Sequence, residues 1–228
     1  VLQRIDGRNW TTNYTYNDVE NRLTAVQYPG TPALNVALTY DGYGRLGTVT
    51  DGSGSHTYTY DDRNSRTSTT TTYTGLPGKT LAYSFHPDGS RESLTTPAGT
   101  FNYTYDAAGR MTGLSNPFAE TTSWQYLNND WLWKQTLANG VTTAYAYNGK
   151  GLPLSVESRD SGNTRLSWYG NLVYDGVGNR TALTADLPGT PAYNGQTGYS
   201  YDTKDQLLQE QSTRAGGYTS NFGYDGAG

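Results

Sequence analysis

The chain has 228 residues, a net charge of −4, two histidines and no cysteine. Without cysteine there is no disulfide frame, no thiol catalyst and no Cys-based metal site, and a weakly acidic chain with no Lys/Arg cluster is a poor partner for nucleic acid. Leu, Ile, Val and Phe make up only about 15% of the residues, a fraction that by itself leans towards disorder, yet 21 tyrosines and 5 tryptophans need burial, which predicts a thin, aromatic core.

In chain order the elements are copies of one unit, an aromatic two-residue beat running into an acidic, Gly-rich turn. The copies read Tyr14-Thr-Tyr16-Asn-Asp18, Leu38-Thr-Tyr40-Asp-Gly42, Tyr58-Thr-Tyr60-Asp-Asp62, Tyr83-Ser-Phe85-His-Pro-Asp88 and Tyr103-Thr-Tyr105-Asp106. They continue as Trp124-Gln-Tyr126-Leu-Asn128, Tyr145-Ala-Tyr147-Asn-Gly149, Leu172-Val-Tyr174-Asp-Gly176, Tyr199-Ser-Tyr201-Asp202 and Phe222-Gly-Tyr224-Asp-Gly226. Measured on the second aromatic, the steps are 24, 20, 25, 20, 21, 21, 27, 27 and 23 residues. A period of this length marks a repeat architecture, in which one supersecondary unit stacks on its neighbours because it cannot bury its own face.

Within a unit, residues two apart on a strand share a face, so Tyr58 and Tyr60 point one way and Thr57 and Thr59 the other. The turns Asp41-Gly-Tyr-Gly44, Asp106-Ala-Ala-Gly109 and Asp175-Gly-Val-Gly178 combine an Asp that bonds amides two residues on with a Gly that accepts positive φ, the chemistry of a four- or five-residue hairpin loop. A basic residue follows, as in Arg22-Leu23, Arg45-Leu46, Arg110-Met111 and more loosely Arg66-Thr67 and Arg180-Thr181, and then a Thr/Ala/Val-rich return strand. At Tyr126 that slot is taken over by Trp131-Leu132-Trp133, with Trp131 and Trp133 expected on one strand face. Asp and Arg four apart, at 18 and 22, 41 and 45, and 106 and 110, are expected to brace the hairpin ends: Asp on turn amides, Arg on its own or the next hairpin. Pro29-Gly-Thr-Pro32, its near copy Pro188-Gly-Thr-Pro191, Leu76-Pro-Gly78 and Thr96-Pro-Ala-Gly99 read as loops between hairpins.

Ten hairpins give roughly twenty strands of about five residues, and no composition shift marks a linker, so residues 1–228 are expected to form one array without an internal boundary. Twenty strands at ~4.8 Å spacing make a contour of about 96 Å, or a circle roughly 30 Å across, which one layer of side chains cannot fill. The prediction is all-β: tandem β-hairpin repeats in a continuous curved or spiralling sheet, in preference to a flattened sandwich. The tyrosines Tyr16, Tyr40, Tyr60, Tyr105, Tyr126, Tyr147, Tyr174, Tyr201 and Tyr224, with Phe85, are expected as buried wall residues. The chain starts in a turn-like segment, Asp6-Gly-Arg8, and stops in the loop Asp225-Gly-Ala-Gly228; since repeat proteins end in capping units, it is expected to be part of a longer array, truncated at both ends.

The units Tyr40-Asp-Gly-Tyr-Gly-Arg-Leu46, Tyr105-Asp-Ala-Ala-Gly-Arg-Met111 and Tyr174-Asp-Gly-Val-Gly-Asn-Arg180 closely resemble the YD repeats of the Rhs family, and the resemblance covers the whole chain. That family includes bacterial polymorphic toxins, the C components of insecticidal toxin complexes, wall-associated YD-repeat proteins and teneurins. The resemblance implies a segment of a hollow β-shell, secreted or on the bacterial cell surface, whose partners are the rest of its parent chain and an enclosed toxin or effector polypeptide. Toxin members close their shell with an Asp-Pro-rich core that carries an aspartyl self-cleavage activity. This sequence contains no Asp-Pro dipeptide, so no catalytic residue is carried over.

Other motifs are weaker. Gly42-Tyr-Gly-Arg-Leu-Gly47 fits the dinucleotide fingerprint, but strand-like Thr48-Val-Thr50 follows where a helix is required. His56 and His86 lack a second ligand at metal spacing, Asp61-Asp62 is a repeat Asp beside a turn filler, and the Asp-Gly-x-Gly loops lack calcium-loop spacing. No enzyme activity, metal or cofactor is therefore expected, nor membrane insertion, since no stretch approaches the ~20 apolar residues of a span and no signal peptide is visible. The leading function is structural, a shell segment acting by enclosure. The alternative is a cell-surface binding module that recognises glycans or a protein receptor through exposed Tyr and Trp, with Trp124, Trp131 and Trp133 as the candidate platform.

Overall fold

The computed structural model describes residues 2–225, so the end of the last expected turn, 226–228, lies outside the described residues. The strands divide between two compact units, one of Val1–Thr104 with Asn116–Phe118 and one of Tyr105–Ser115 with Ala119–Gly228. In the first unit run β1 (Gln3–Ile5), β2 (Thr11–Tyr16), β3 (Leu23–Gln27), β4 (Val36–Tyr40), β5 (Leu46–Asp51), β6 (Gly54–Tyr60), β7 (Arg66–Tyr73), β8 (Lys79–Phe85), β9 (Arg91–Thr96) and β10 (Gly99–Tyr105), whose last residue falls in the second unit. Each pairs antiparallel with the next. The second unit repeats this with β11 (Met111–Ser115), β12 (Thr121–Tyr126), β13 (Leu132–Thr136), β14 (Thr142–Tyr147), β15 (Pro153–Arg159), β16 (Arg165–Tyr174), β17 (Arg180–Asp186), β18 (Gly195–Tyr201), β19 (Leu207–Ser212) and β20 (Tyr218–Asn221), again each on its neighbour. The tandem-hairpin, all-β expectation is met.

Period-two alternation sorts the side chains. On β4, Val36, Leu38 and Tyr40 are half-buried while Ala37 and Thr39 are exposed; on β6, Tyr58 and Tyr60 are half-buried and Thr57 and Thr59 exposed. The second face of the first unit is a hydroxyl face, with Thr39, Thr48, Thr57, Thr70 and Thr80 in cross-strand register. Within it Thr39 and Thr48 lie 2.7 Å apart, oxygen to oxygen, and Thr70 and Thr80 2.8 Å, the cross-strand hydroxyl pairing that sheets tolerate well. The tightest packing in the second unit gathers Leu183, Ala185, Thr197 and Ser212, with the hydroxyls of Thr197 and Ser212 bonded at 2.9 Å.

The expectation of buried repeat tyrosines needs correction. Tyr40, Tyr60, Tyr105, Tyr126, Tyr147, Tyr174 and Tyr201 are half-buried, and Tyr16 and Tyr224 are 37% and 46% exposed. Each unit is a single sheet, so a ring is screened by flanking rings and arginines on its own face and not by a second layer.

The two Pro-Gly-Thr-Pro segments fold alike. Each makes a short 3-10 turn with proline at its start, Pro32–Leu34 and Pro191–Tyr193, where a missing N–H costs nothing. Asn35 Oδ1 closes the first loop on the Tyr28 N–H at 2.7 Å, and Asn194 Oδ1 the second on the Leu187 N–H at 2.5 Å.

Candidate functional site

The turn at 41–45 shows how a hairpin is closed. The Asp41 N–H donates to the Arg45 carbonyl at 2.8 Å and the Gly44 N–H to the Asp41 carbonyl at 3.0 Å, with Gly44 at φ +82°. A three-residue hairpin loop needs that left-handed residue, and Asn64, Asp130 and Asp205 supply it elsewhere at φ 66°, 68° and 65°, as short polar side chains can. Asp41 Oδ1 then accepts the N–H groups of Tyr43 and Arg45 at 2.9 and 3.0 Å. Asp106 does the same for Ala108 and Arg110, both at 3.0 Å, and Asp175 for Val177, Gly178 and Asn179 at 3.1, 2.8 and 2.9 Å.

Arginine joins one hairpin to the next. Arg45 Nε donates to Asp41 Oδ2 at 2.7 Å, and its Nη1 reaches the Asp61 carbonyl at 2.7 Å and Asn64 Oδ1 at 3.0 Å. Arg110 binds Asp106 Oδ2 at 2.7 Å, the Leu127 carbonyl at 3.0 Å and Asp130 Oδ1 at 2.8 Å. Both guanidinium groups also lie over the next repeat's tyrosine, Tyr60 at 4.7 Å and Tyr126 at 4.9 Å, within cation–π range. Arg22 pairs with Asp18 and lies 4.5 Å over Tyr40, but the left-handed residue ahead of it is Gly44, which offers no side-chain acceptor. Asn179 stands in for arginine at the turn of Asp175, donating to Asp175 Oδ2 at 3.1 Å and Asp205 Oδ1 at 2.8 Å.

A second tie runs the other way. The hydroxyl of each of several repeat tyrosines donates to the carbonyl that opens the preceding return strand: Tyr40 to Leu23 at 2.8 Å, Tyr60 to Leu46 at 3.1 Å, Tyr126 to Met111 at 2.8 Å and Tyr147 to Leu132 at 2.9 Å. Tyr174, Tyr201 and Tyr224 do so to Pro153, Arg180 and Leu207 at 2.7, 2.8 and 3.0 Å. A β-bulge faces the second aromatic of these hairpins; Thr39 pairs with Thr48 but Tyr40 with Leu46, and the same skip recurs at Tyr60, Phe85, Tyr126, Tyr147 and Tyr201. Bulges re-aim side chains, and the skipped residue sits directly after the accepting carbonyl. Phe85 has no hydroxyl to donate. Neither the tyrosine tie nor the αL acceptors Asn64, Asp130 and Asp205 was foreseen, although the recurring Asn or Asp one residue before the Arg slot is a readable signal.

Two alignments made on sequence shift. Arg66 and Arg180 belong one residue further on, at the strand position of Leu46, since Tyr60 pairs with Arg66 and Tyr174 with Arg180; Arg66 sits 5.8 and 6.0 Å over Tyr58 and Tyr83. Trp131 and Trp133 do not share a strand face. Trp131 lies in the turn, its carbonyl accepting the Leu127 N–H at 2.8 Å, so it occupies the arginine slot and packs on the next tyrosine, Tyr147, with ring centres 5.2 Å apart. Trp133 falls on the bulge, between the register pairs of Tyr126 with Leu132 and Gln125 with Lys134, and is 46% exposed. Trp124 is half-buried on β12.

Three of the turn carboxylates, Asp41, Asp106 and Asp175, have pKa values below the ordinary carboxylate value. For Asp106 the Arg110 guanidinium is the largest cause of a lowered pKa. For Asp41 and Asp175 partial desolvation pushes upward, but the amides and side chains of Arg45 and Asn179 outweigh it and lower both. His56 Nδ1 lies 3.0 Å from the Thr71 hydroxyl, Gly42 to Gly47 lead into strand β5, and among the described residues no three His, Asp or Glu gather as metal ligands. Among them, too, no helix is long and apolar enough to cross a membrane.

Neither protein-family models nor curated protein sequences match the chain. Solved structures do. The crystal structure of TcdB2-TccC3-Cdc42 matches with a TM-score of 0.69 at 18% identity, over 92% of this chain and 12% of that one. The crystal structure of TcdB2-TccC3 matches with a TM-score of 0.62 at 16% identity, over 96% and 15%. The chain thus spans 12% to 15% of the length of these two chains. Tyrosine-led, aspartate-turned hairpins that superpose on TcdB2-TccC3 at this level identify the fold as that of the YD-repeat, or Rhs, family.

Proposed function

We propose that this chain is a non-enzymatic wall segment of an Rhs-type shell, secreted or displayed by a bacterium, which encloses or presents a toxin or effector polypeptide. The observation that carries this reading is where the recurring polar groups go. Tyrosine hydroxyls, turn carboxylates and guanidinium groups, the groups able to do chemistry, bond turns and strands of their own and adjacent hairpins, and the same assignment recurs down both units. The wall acts by enclosure, and its partners are the rest of the parent chain and the enclosed polypeptide. Limited proteolysis of the full-length parent protein tests it. The effector portion should resist a protease that digests the same portion expressed alone, and become sensitive when the wall is destabilised; equal digestion in both settings overturns the reading.

A second reading, a surface module for glycans or a protein receptor, is favoured by one observation, the exposed Trp133 on its bulge. Saturable binding on a carbohydrate array that Trp133→Ala abolishes and Trp131→Ala does not would support it.

A further inference from the structure

We propose that the groove between the β1–β2 turn and the β3–β4 loop of the first unit binds an acidic saccharide, a sugar ring stacking on Trp10 and its carboxylate pairing with Arg4. The groove has a volume of about 600 Å³ and is lined by Arg4, Asp6, Arg8, Trp10, Tyr28 and Pro29 among others, a size typical of small-molecule sites. Trp10 is 58% exposed, yet it is not loose. Its backbone N–H donates to Asp6 Oδ1 at 3.0 Å, its backbone carbonyl accepts the Asp6 N–H at 3.0 Å, and the Arg8 guanidinium lies 4.8 Å over its ring. With its backbone held and Arg8 over one face of the ring, the exposed indole presents its other flat apolar face to the C–H face of a sugar. The opposite wall is equally set, because the Thr31 N–H and Asn35 Oδ1 hold the two backbone groups of Tyr28 at 2.9 and 2.7 Å and Pro29 has a fixed φ.

Charge selects the ligand. Asp6 is already neutralised by Arg8, whose Nη2 and Nε lie 3.1 and 3.3 Å from Asp6 Oδ2. Arg4 has no side-chain hydrogen bond to any described residue, and it acts on Asp6 only as a nearby charge. The groove therefore keeps one uncommitted guanidinium, the group best matched to a carboxylate. The second unit supplies the contrast. Its turn at Asp160 closes with the same backbone bonds and its Pro188–Pro191 loop copies the first, but there Arg165 is bound to Glu157 and Asp186, both at 2.7 Å, and Arg214 Nε caps the Tyr193 carbonyl at 2.8 Å. The same backbone frame is internally satisfied in one unit and open in the other.

This site is separate from Trp133 and does not depend on the shell reading. Titration of the whole chain with trigalacturonate, followed by calorimetry and tryptophan fluorescence, tests it, with the fully methyl-esterified trisaccharide as the uncharged control. Expected are saturable binding of trigalacturonate, affinity for the ester lower by about tenfold, and losses of about tenfold or more for Trp10→Ala and Arg4→Gln, while Trp133→Ala binds as the parent does. Arg4 is exposed, so Arg4→Gln tests the site even where Trp10→Ala fails to fold. No saturable binding, equal affinity for acid and ester, or undiminished binding by Arg4→Gln overturns the proposal.

Discussion

The hairpin that turns at Asp106 and the next one, which turns at Leu127, have the same backbone and almost no side chain in common. The first closes with an Asp carboxylate on two amides, a glycine in the left-handed position and an arginine reaching forward. The second has Leu127 in place of the Asp, Asp130 in place of the glycine and Trp131 in place of the arginine, yet makes the same two backbone bonds at 2.8 and 3.1 Å. The turn is therefore specified by the left-handed residue and the strand register. The residue four places on has a separate task, to cover the next repeat's tyrosine, which a guanidinium or an indole can perform.

Several substitutions would break or sharpen this distinction. The largest effect is expected for Gly151→Ala, because Gly151 has φ +84° and an added methyl would sit 2.8 Å from the Trp131 ring; a loss of about 3 kcal/mol combines left-handed strain with a clash. Gly109→Ala, with φ +78° and nothing within 4 Å, should cost only ~1–2 kcal/mol. Equal losses in urea denaturation would show that Trp131 does not press on the next turn. Trp131→Ala should cost about 2 kcal/mol, below the range for a fully buried ring, and should relieve part of the Gly151→Ala penalty in a double-mutant cycle; strict additivity would separate the two residues. Tyr147→Phe removes the hydroxyl from the Leu132 carbonyl and should cost about 1 kcal/mol. The reverse change, Phe85→Tyr, should gain a fraction of that if its hydroxyl finds the Arg66 carbonyl, and an unchanged melting temperature would refute the tie at that repeat. Smallest is the pH effect. Asp41, Asp106 and Asp175 have folded pKa values below their ordinary value, so their contribution is complete above about pH 4 and is lost as pH falls further, through the folded values. Asp106→Asn should flatten the acid limb of the melting-temperature profile, and an unchanged limb would show that the turn carboxylate does not carry it.

The periodic parts of this fold were readable because they rest on local rules. Tyr58 and Tyr60 share a face by strand geometry alone, and Asp41 with Gly44 specifies a turn within five residues. What escaped were relations that depend on a neighbouring hairpin or on a one-residue skip. Trp131 and Trp133 look like a strand pair until the bulge moves Trp131 into the turn, and Arg66 looks like Arg45 until register puts it on the strand. Asp6-Gly-Arg-Asn9-Trp10 carries the same turn spacing as the repeats, but it lacks the aromatic beat before it, so the sequence marks Asp6-Gly-Arg8 as a turn without pointing to Trp10.

The tyrosine tie also orders events in time. Its acceptors precede their donors by 14 to 21 residues, from Tyr60 and Leu46 to Tyr174 and Pro153 or Tyr201 and Arg180, so as the chain leaves the ribosome each tyrosine meets a carbonyl already in place. The arginine contact is the reverse, since Arg45 must wait for Asp61 and Asn64 to be made. Sequence order therefore lets the sheet grow from its N-terminal end, because each hairpin finds its tyrosine acceptor in the chain before it while its own arginine finds its acceptors only in the chain after it.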